Sequence, residues 1–324
     1  MVQNVFLIFV GFVLLIKGAD WLVNGSVKIA KRLHIPEIII GLTIVSIGTS
    51  MPELIVSVTS ALEGHSDMAL GNVIGSNICN ILLILGLSAV VRPVVFKKET
   101  KFIEIPIALV ISVILLFFGN NAGGQITRIE GIGLVVLFAL FIAYTIFMGI
   151  KESKEEIELD EKEKQESKEL LEQEKFGIIK SIGLIFIGIF GLKIGGDLVV
   201  DNACEVARIL EISEKVISLT IIAIGTSLPE LATSVIAAIK GESDIAIGNI
   251  VGSNIFNILL IIGTGAIIKP MTYSLTYNTD MTIMLLATTM LAVFPFIGKK
   301  DTMTRVNGAL CLIIYAGYMV KLFI

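Results

Sequence analysis

The amino-acid sequence predicts an all-α polytopic membrane protein whose ten transmembrane helices form two inverted five-helix repeats. Long apolar runs follow one another along the whole chain, which has 55% hydrophobic residues and a mean hydropathy of +0.90. The second half also repeats the first without a gap at an offset of 177 residues, so that Gly48 aligns with Gly225. Each half has five apolar runs, an odd number, so the second copy is expected to enter the membrane from the opposite side.

Each predicted span is an apolar run of about the 20 residues that a helix needs to cross a bilayer. The first run lacks a basic leader and a small-residue cleavage site, so we expect a structural helix rather than a signal peptide. The alternation of about ten residues that is typical of barrel strands is absent from the sequence. The predicted spans are Gln3 to Asn24, Pro36 to Leu62, Met68 to Val91, Glu104 to Gly119, Ile129 to Ile150, Phe176 to Val200, Val216 to Ile239, Ile245 to Ile268, Met281 to Phe296 and Asn307 to Ile324.

One strongly polar segment separates the two halves. The stretch "KESKEEIELDEKEKQESKELLEQEK" is acidic overall, and we predict a solvated helix or linker too short to hold a folded regulatory domain. It divides the chain into a first repeat at 1–150, a linker at 151–175 and a second repeat at 176–324. Lys and Arg concentrate in alternate connections that include this linker. The positive-inside rule therefore predicts a cell-membrane protein with a cytoplasmic linker and both termini outside.

The repeat is strongest at polar and small residues. "IGTSMPEL" aligns with "IGTSLPEL", and "GNVIGSNICNILLILG" aligns with "GNIVGSNIFNILLIIG". A duplication that served only to fill a membrane bundle would not need to repeat these residues. Transporters built from inverted repeats place their substrate between the copies near the middle of the membrane, so we expect a site there.

Two stripes of polar residues recur in each half at helical spacing, one at i, i+4, i+7 and one at i, i+4, i+8. Pro52 removes a backbone donor and Gly48 helps the chain to bend, so we expect carbonyls near Ser46 to be free to bind a cation. The first-half stripes hold Ser46, Ser50 and Glu53, with Thr49 at the edge, and then Asn72, Ser76 and Asn80. The second-half stripes hold Ala223, Ser227 and Glu230, with Thr226 beside them, and then Asn249, Ser253 and Asn257.

All of these groups offer oxygen ligands. An ionised carboxylate in hydrocarbon costs several kcal/mol unless it is paired or hydrated, so Glu53 and Glu230 indicate a functional site. Crowded oxygens without sulfur or imidazole suit Ca²⁺, which takes about 6–8 oxygens, and Na⁺ by the same logic. Protonated glutamates that only join helices, and asparagines that only bond between helices, are the alternatives. The three cysteines are widely spaced and indicate neither a disulfide framework nor a soft-metal site.

The motif "GTSxPEL" followed by "GNxxGSNIxNI", present in both halves, resembles the α-repeat pair of the sodium/calcium exchanger family, part of the cation/Ca²⁺ exchanger superfamily. The resemblance covers nearly the whole chain. It implies Na⁺/Ca²⁺ antiport by alternating access, with the first and sixth spans sliding as a gating pair across a static core. It further implies that Glu53 and Glu230 are the central carboxylate ligands. The other implied ligands are the side chains of Thr49, Ser50, Ser76, Asn80, Thr226, Ser227, Ser253 and Asn257 and the carbonyls of Ser46 and Ala223.

Departures from the family pattern refine this expectation. Branches that also carry K⁺ tend to have an acidic residue at the position of Asn257, so the amide here predicts exchange without K⁺. With two carboxylates, one Ca²⁺ neutralises the site, whereas more than two Na⁺ leave a positive charge, which predicts electrogenic exchange. Transported Ca²⁺ and Na⁺ are then substrates, and we expect no cofactor, no nucleic-acid partner and a functional monomer in the lipid bilayer. We also expect no regulation of the kind that large cytoplasmic Ca²⁺-sensing domains provide in animal exchangers.

Three other functions compete with this interpretation. Calcium/proton exchange is the alternative within transport, although proton-coupled relatives show "GNxxE" around the key carboxylate. An intramembrane enzyme would need a base beside Ser50 or Ser227, and neither histidine lies in a span near them. A cation channel with a glutamate ring would pass ions without exchange. Asp20 and Asp197 also recur, but near span ends, where capping or interfacial hydrogen bonds are the expected role.

Overall fold

A computed structural model of the protein describes residues 1–121, 123–160, 169–211 and 223–323. Seven helices in these ranges are long and apolar enough to cross a membrane, and a bent helix pair makes eight if it counts as one span. The first-half helices are α1 (Val2–Leu33), α2 (Glu37–Thr49), α3 (Met51–Glu63), α4 (Ser66–Cys79, continuing through Asn80–Leu85 and Gly86–Val91), α5 (Thr100–Gly119) and α6 (Arg128–Asp160). The second-half helices are α7 (Glu169–Ile209), α8 (Ala223–Gly225), α9 (Leu228–Lys240), α10 (Ser243–Ile268), α11 (Tyr277–Phe296) and α12 (Arg305–Phe323).

Most predicted spans agree with these helices to within a few residues, but α1 and α7 run about nine residues past the predicted ends at Asn24 and Val200, to Leu33 and Ile209. Three further points concern particular spans. The second span is broken into α2 and α3, which meet at an angle of 51°. The linker predicted at 151–175 is helical at both ends, since α6 continues to Asp160 and α7 begins at Glu169. The seventh predicted span, Val216 to Ile239, is described only from Ala223 onward, as α8 and α9, and its first part lies outside the described residues.

Four two-residue strands, which the sequence analysis did not predict, join the halves. β1 (Val94–Val95) pairs antiparallel with β4 (Thr302–Met303), and β2 (Gln125–Ile126) pairs antiparallel with β3 (Met271–Thr272). β3 and β4 are the equivalents of β1 and β2 at the offset of 177 residues. Strand β1 therefore pairs with the equivalent of β2, and β2 pairs with the equivalent of β1. The two pairs lie at opposite ends of α5.

Helices α4 and α10 form the centre of the bundle. Each contains a wider π-helical segment at the same place in the repeat, Asn80–Leu85 in α4 and Asn257–Ile262 in α10. A π segment often marks a functional part of a helix, because it interrupts the regular hydrogen-bond ladder. Both segments begin at an asparagine of the predicted ligand set.

Helices α1 and α7 run antiparallel and touch through their backbones. A Cβ atom at Gly18 would lie 2.8 Å from the carbonyl oxygen of Gly188, and one at Gly188 would lie 2.8 Å from that of Gly18. Gly11 and Gly195 make a second reciprocal pair, again at 2.8 Å. Small residues of this kind allow membrane helices to pack at short distance.

Candidate cation site

The two glutamates occupy equivalent places at helix breaks. Ser50 and Ser227 have nearly the same backbone angles, φ −84°, ψ 8° and φ −88°, ψ 7°, and each precedes a helix with proline in its first turn. Glu53 and Glu230 lie in those first turns and are both 1% exposed. Because a helix N-terminus carries partial positive charge, this position favours a carboxylate.

Each half supplies a hydroxyl to the carboxylate of the other half. Ser50 Oγ lies 2.7 Å from Oε1 of Glu230 and donates to it, and Ser227 Oγ donates to Oε1 of Glu53 at 3.2 Å. Helices α10 and α4 add a second hydroxyl beside each serine. Ser253 Oγ lies 2.9 Å from Ser50 Oγ, and Ser76 Oγ lies 3.5 Å from Ser227 Oγ. The site is therefore shared between the halves.

Four carboxylate and amide oxygens of the site are buried without a hydrogen-bond partner in the described part of the chain. They are the second carboxylate oxygens of the two glutamates and the amide oxygens of two asparagines: Glu53 Oε2, Glu230 Oε2, Asn80 Oδ1 and Asn257 Oδ1. Buried polar atoms nearly always have a partner from protein, water or an ion. These four acceptors have none from the described protein, so their partner must come from outside it. A cation is one partner that these acceptors can take.

The threonines differ between the halves. Thr49 is buried, and its hydroxyl donates to Asn249 Oδ1 at 3.0 Å. Its equivalent, Thr226, lines a cavity of about 400 Å³ together with Ser76. The same cavity reaches Asp67 and Tyr277, close to the β2–β3 pair. An ion could therefore approach the site from the β2–β3 end.

The prediction of free carbonyls near Ser46 is wrong for Ser46 itself. The carbonyl oxygen of Ser46 accepts the backbone N–H of Ser50 at 3.0 Å and lies 3.3 Å from the hydroxyl oxygen of Thr49. The reason is positional, because the N–H that Pro52 lacks would have bonded four residues back, to Gly48. In the second half the N–H of Ser227 donates to Ile224 rather than to Ala223.

Two further asparagines belong to the centre but were missed. Asn77 and Asn254 follow Ser76 and Ser253 in the repeated "GSN" and bond across the interface between α4 and α10. They were missed because each follows a stripe serine directly, and adjacent residues point about 100° apart around a helix. Their recurrence at the 177-residue offset was the signal that could have identified them.

The recurring aspartates form ion pairs of their own, although neither lies near a helix end as expected, because α1 and α7 continue well past them. Asp20 pairs with Lys240 at 2.5 Å, and the same ammonium donates to Asn24 at 2.6 Å. Asp197 pairs with Lys193 one helical turn away at 2.6 Å. Asp20 thus connects α1 to α9, whereas the ion pair of Asp197 stays within α7.

The donor set suits a hard cation that is bound and released. It consists of carboxylate, hydroxyl and amide oxygens, which are ligands for Ca²⁺ and Na⁺. Within the described residues no group of three or more His, Cys, Asp and Glu side chains could hold a metal. Two carboxylates diluted by neutral oxygens give a site whose charge one divalent cation cancels.

Both halves of the chain match one known protein family. The model described as sodium/calcium exchanger protein matches residues 3–147 and 180–324, which leaves out mainly the polar linker. The chain belongs to the sodium/calcium exchanger protein family. The match has two parts, one in each half, and each contains one carboxylate of the site.

Relatives of the family match over nearly the full length. The inner membrane protein YrbG of Escherichia coli (strain K12) is 40% identical over 293 residues, which cover 89% of this chain and 87% of YrbG. The sodium/calcium exchanger MaX1 of Methanosarcina acetivorans is 32% identical, covering 99% of this chain and 98% of MaX1. A solved structure of the sodium-calcium exchanger NCX_Mj, soaked with Na⁺ and Ca²⁺, superimposes with a TM-score of 0.84 at 30% identity over 99% of both chains. Family membership confirms the prediction of a transporter rather than an enzyme.

Proposed function

We propose that this protein is a secondary antiporter that exchanges Na⁺ for Ca²⁺ across the cell membrane. The observation that carries the proposal is the group of four partnerless buried oxygens, two from Glu53 and Glu230 and two from Asn80 and Asn257. Both halves contribute equally to it, and all four atoms are oxygens. The names of MaX1 and NCX_Mj agree with this substrate pair.

The proposed ligands are those that the sequence pattern and the resemblance indicated. Glu53, Glu230, Asn80 and Asn257 surround the cation, and the serine hydroxyls turn from the carboxylates toward it when it binds. Ser50 and Ser227 each occupy one oxygen of a glutamate in the present arrangement. The remaining proposed ligands are Thr49, Ser76, Thr226, Ser253 and the carbonyl of Ala223.

Alternating access rests on inverted repeats in this proposal. The strand pairs support the inversion, because β1 and β2 each pair with the equivalent of the other at opposite ends of the bundle. The cavity near Ser76 leads toward the β2–β3 end, while the pair of Lys240 with Asp20 connects α1 to α9 at the other end. The present conformation thus corresponds to access from the β2–β3 end, with α1 and α7 as the moving pair.

The orientation in the membrane follows from the basic residues. Arg92, Lys97, Lys101 and Arg305 contact groups near the β1–β4 end, where Lys97 pairs with Asp244 at 2.5 Å. By the positive-inside rule this end faces the cytoplasm, and the cavity opens to the outside.

Electrogenic exchange without K⁺ follows from the charge of the site. Two carboxylates match one Ca²⁺, so exchange against more than two Na⁺ moves net positive charge. The amide of Asn257 adds an oxygen without a further negative charge, which leaves no carboxylate for an accompanying K⁺. Ca²⁺/H⁺ exchange is the alternative that the test must separate.

The deciding experiment is uptake of radioactive Ca²⁺ into proteoliposomes loaded with Na⁺. Parallel liposomes are loaded with choline, with K⁺ or at acidic pH, and each has a control containing Glu53→Gln protein. We expect uptake only from Na⁺-loaded liposomes with the wild-type protein. Uptake that an acidic interior drives as well as Na⁺ would replace this proposal with Ca²⁺/H⁺ exchange. Uptake without any counter-ion gradient would indicate a channel.

A further inference from the structure

Asn77 and Asn254, here named the asparagine brace, form a reciprocal contact between α4 and α10. They are 1% and 5% exposed. Asn77 Nδ2 donates to the backbone carbonyl of Asn254, and Asn254 Nδ2 donates to that of Asn77, both at 3.3 Å. A backbone carbonyl only accepts hydrogen bonds, so these contacts fix which end of each amide is the nitrogen.

The oxygen end of each brace residue faces an asparagine of the proposed ligand set. Asn77 Oδ1 accepts from Nδ2 of Asn257 at 3.0 Å, and Asn254 Oδ1 accepts from Nδ2 of Asn80 at 2.9 Å. Asn80 and Asn257 must therefore present their nitrogen to the brace. Their oxygens point the other way, and both are buried without a hydrogen-bond partner in the described residues.

We infer that the asparagine brace sets the amide orientation of Asn80 and Asn257, so that each presents oxygen rather than nitrogen to the transported cation. The inference rests on the proposed function, because it assigns a purpose to two oxygens of that site. Asn77 and Asn254 act as positioning residues, each serving the ligand contributed by the other half.

The chemical reason is the asymmetry of an amide. Its oxygen binds a cation, but its NH₂ group carries partial positive charge and repels one. A half-turn of the amide plane exchanges the two, and no apolar contact distinguishes them because they have nearly the same size. Only a hydrogen-bond partner of fixed polarity holds one orientation, and the backbone carbonyls of residues 77 and 254 supply that fixed polarity through the brace.

A carboxylate at position 257 would not need this positioning, since both of its terminal atoms are oxygen. The role of Asn77 is therefore tied to the amide at position 257, which makes it separable from a general role in packing. If Asn77 only stabilised the bundle, its replacement would have the same effect whichever residue stood at 257.

The test is a double-mutant cycle on Ca²⁺ affinity. Leucine is close to asparagine in shape, so Asn77→Leu is made in three backgrounds: the wild-type protein, Asn257→Ala and Asn257→Asp. The mirror cycle combines Asn254→Leu with Asn80→Ala. Ser88→Ala is the control on α4, because this buried serine bonds only within its own helix. Affinity is measured as the Ca²⁺ KM of exchange and as the dissociation constant from calorimetry on purified protein, so that variants with low flux still give a value.

We expect Asn77→Leu alone to weaken Ca²⁺ binding by about 10–100-fold, the usual effect of losing a group that orients a metal ligand. Added to Asn257→Ala or Asn257→Asp, the same substitution should change Ca²⁺ affinity by less than about twofold relative to that single variant, because no amide remains to be oriented. Full multiplication of the effects in both backgrounds, or wild-type affinity of Asn77→Leu, would overturn the inference. Failure of the proposed function is a separate result, since it appears as absent Na⁺-driven flux in the wild type.

Discussion

The backbone contact between α1 and α7 predicts a large effect of adding a single methyl group. In Gly18→Ala the new Cβ would lie 2.8 Å from the Gly188 carbonyl oxygen and 2.8 Å from the Leu192 nitrogen, whereas ordinary contacts begin at 3.4 Å. The helices must separate by roughly the difference, about 0.6 Å, and overpacking of this kind costs about 1–3 kcal/mol. Alanine returns up to about 1 kcal/mol through its higher helix propensity, so the comparison needs a matched glycine.

Gly183→Ala on α7 is that matched variant, because a Cβ there would meet no heavy atom within 4 Å in the described structure. Thermal unfolding in detergent should give an apparent Tm for Gly18→Ala and Gly188→Ala several degrees below that of Gly183→Ala, since 1 kcal/mol shifts Tm by about 2–4 °C. The double variant should lose less than the sum, because one separation of the helices relieves both clashes. Equal Tm values for Gly18→Ala, Gly188→Ala and Gly183→Ala would refute the contact.

Three further predictions concern transport and orientation in the membrane. Glu53→Gln and Glu230→Gln should each abolish Na⁺-driven Ca²⁺ uptake in protein that still elutes as a single species, because each removes one of two charges that balance Ca²⁺; near-normal flux in either would disprove the central assignment. A cysteine at position 163, which lies outside the described residues, should resist impermeant thiol reagents in intact cells, and labelling from outside would reverse the orientation. An inside-positive potential set with K⁺ and valinomycin should accelerate uptake into Na⁺-loaded liposomes, because one net charge is worth about 2.3 kcal/mol per 100 mV. Insensitivity to potential would indicate two Na⁺ per Ca²⁺ or proton coupling. Replacing K⁺ by another permeant cation should not abolish uptake, and a strict need for K⁺ would disprove K⁺ independence.

The sequence predicts the helices well because hydropathy and span length are local properties. It also predicts that the second span bends near Pro52, since the missing N–H has a fixed effect on the helix ladder. The expected effect on the Ser46 carbonyl was wrong, because residues Ser46–Thr49 of α2 are α-helical and this carbonyl stays bonded. The four short strands carry no periodic pattern, and their pairing depends on contacts between distant segments.

The candidate site could be predicted as a set of residues but not as a network. Helical spacing identified the carboxylates, the hydroxyls and the polar stripes of α4 and α10 that face the site. It could not show that Ser50 bonds the glutamate of the other half, because this requires the relative placement of two helices. Asn77 and Asn254 lie beside the stripe rather than on it, so periodicity on a single helix pointed away from them.

The exchange of partners between the halves also bears on how the protein is made. The first half is synthesised and inserted first, yet the hydroxyl partner of Glu53 arrives 174 residues later, as Ser227. Asn77 and Asn80 likewise wait for Asn254. Because unpaired polar groups are costly in lipid, the half-made protein is a poor membrane fold, and its own polar residues draw the second half into place. The polar residues of the proposed cation site thus also hold the two halves together, so a bundle assembled in the wrong register would lose both the site and these contacts.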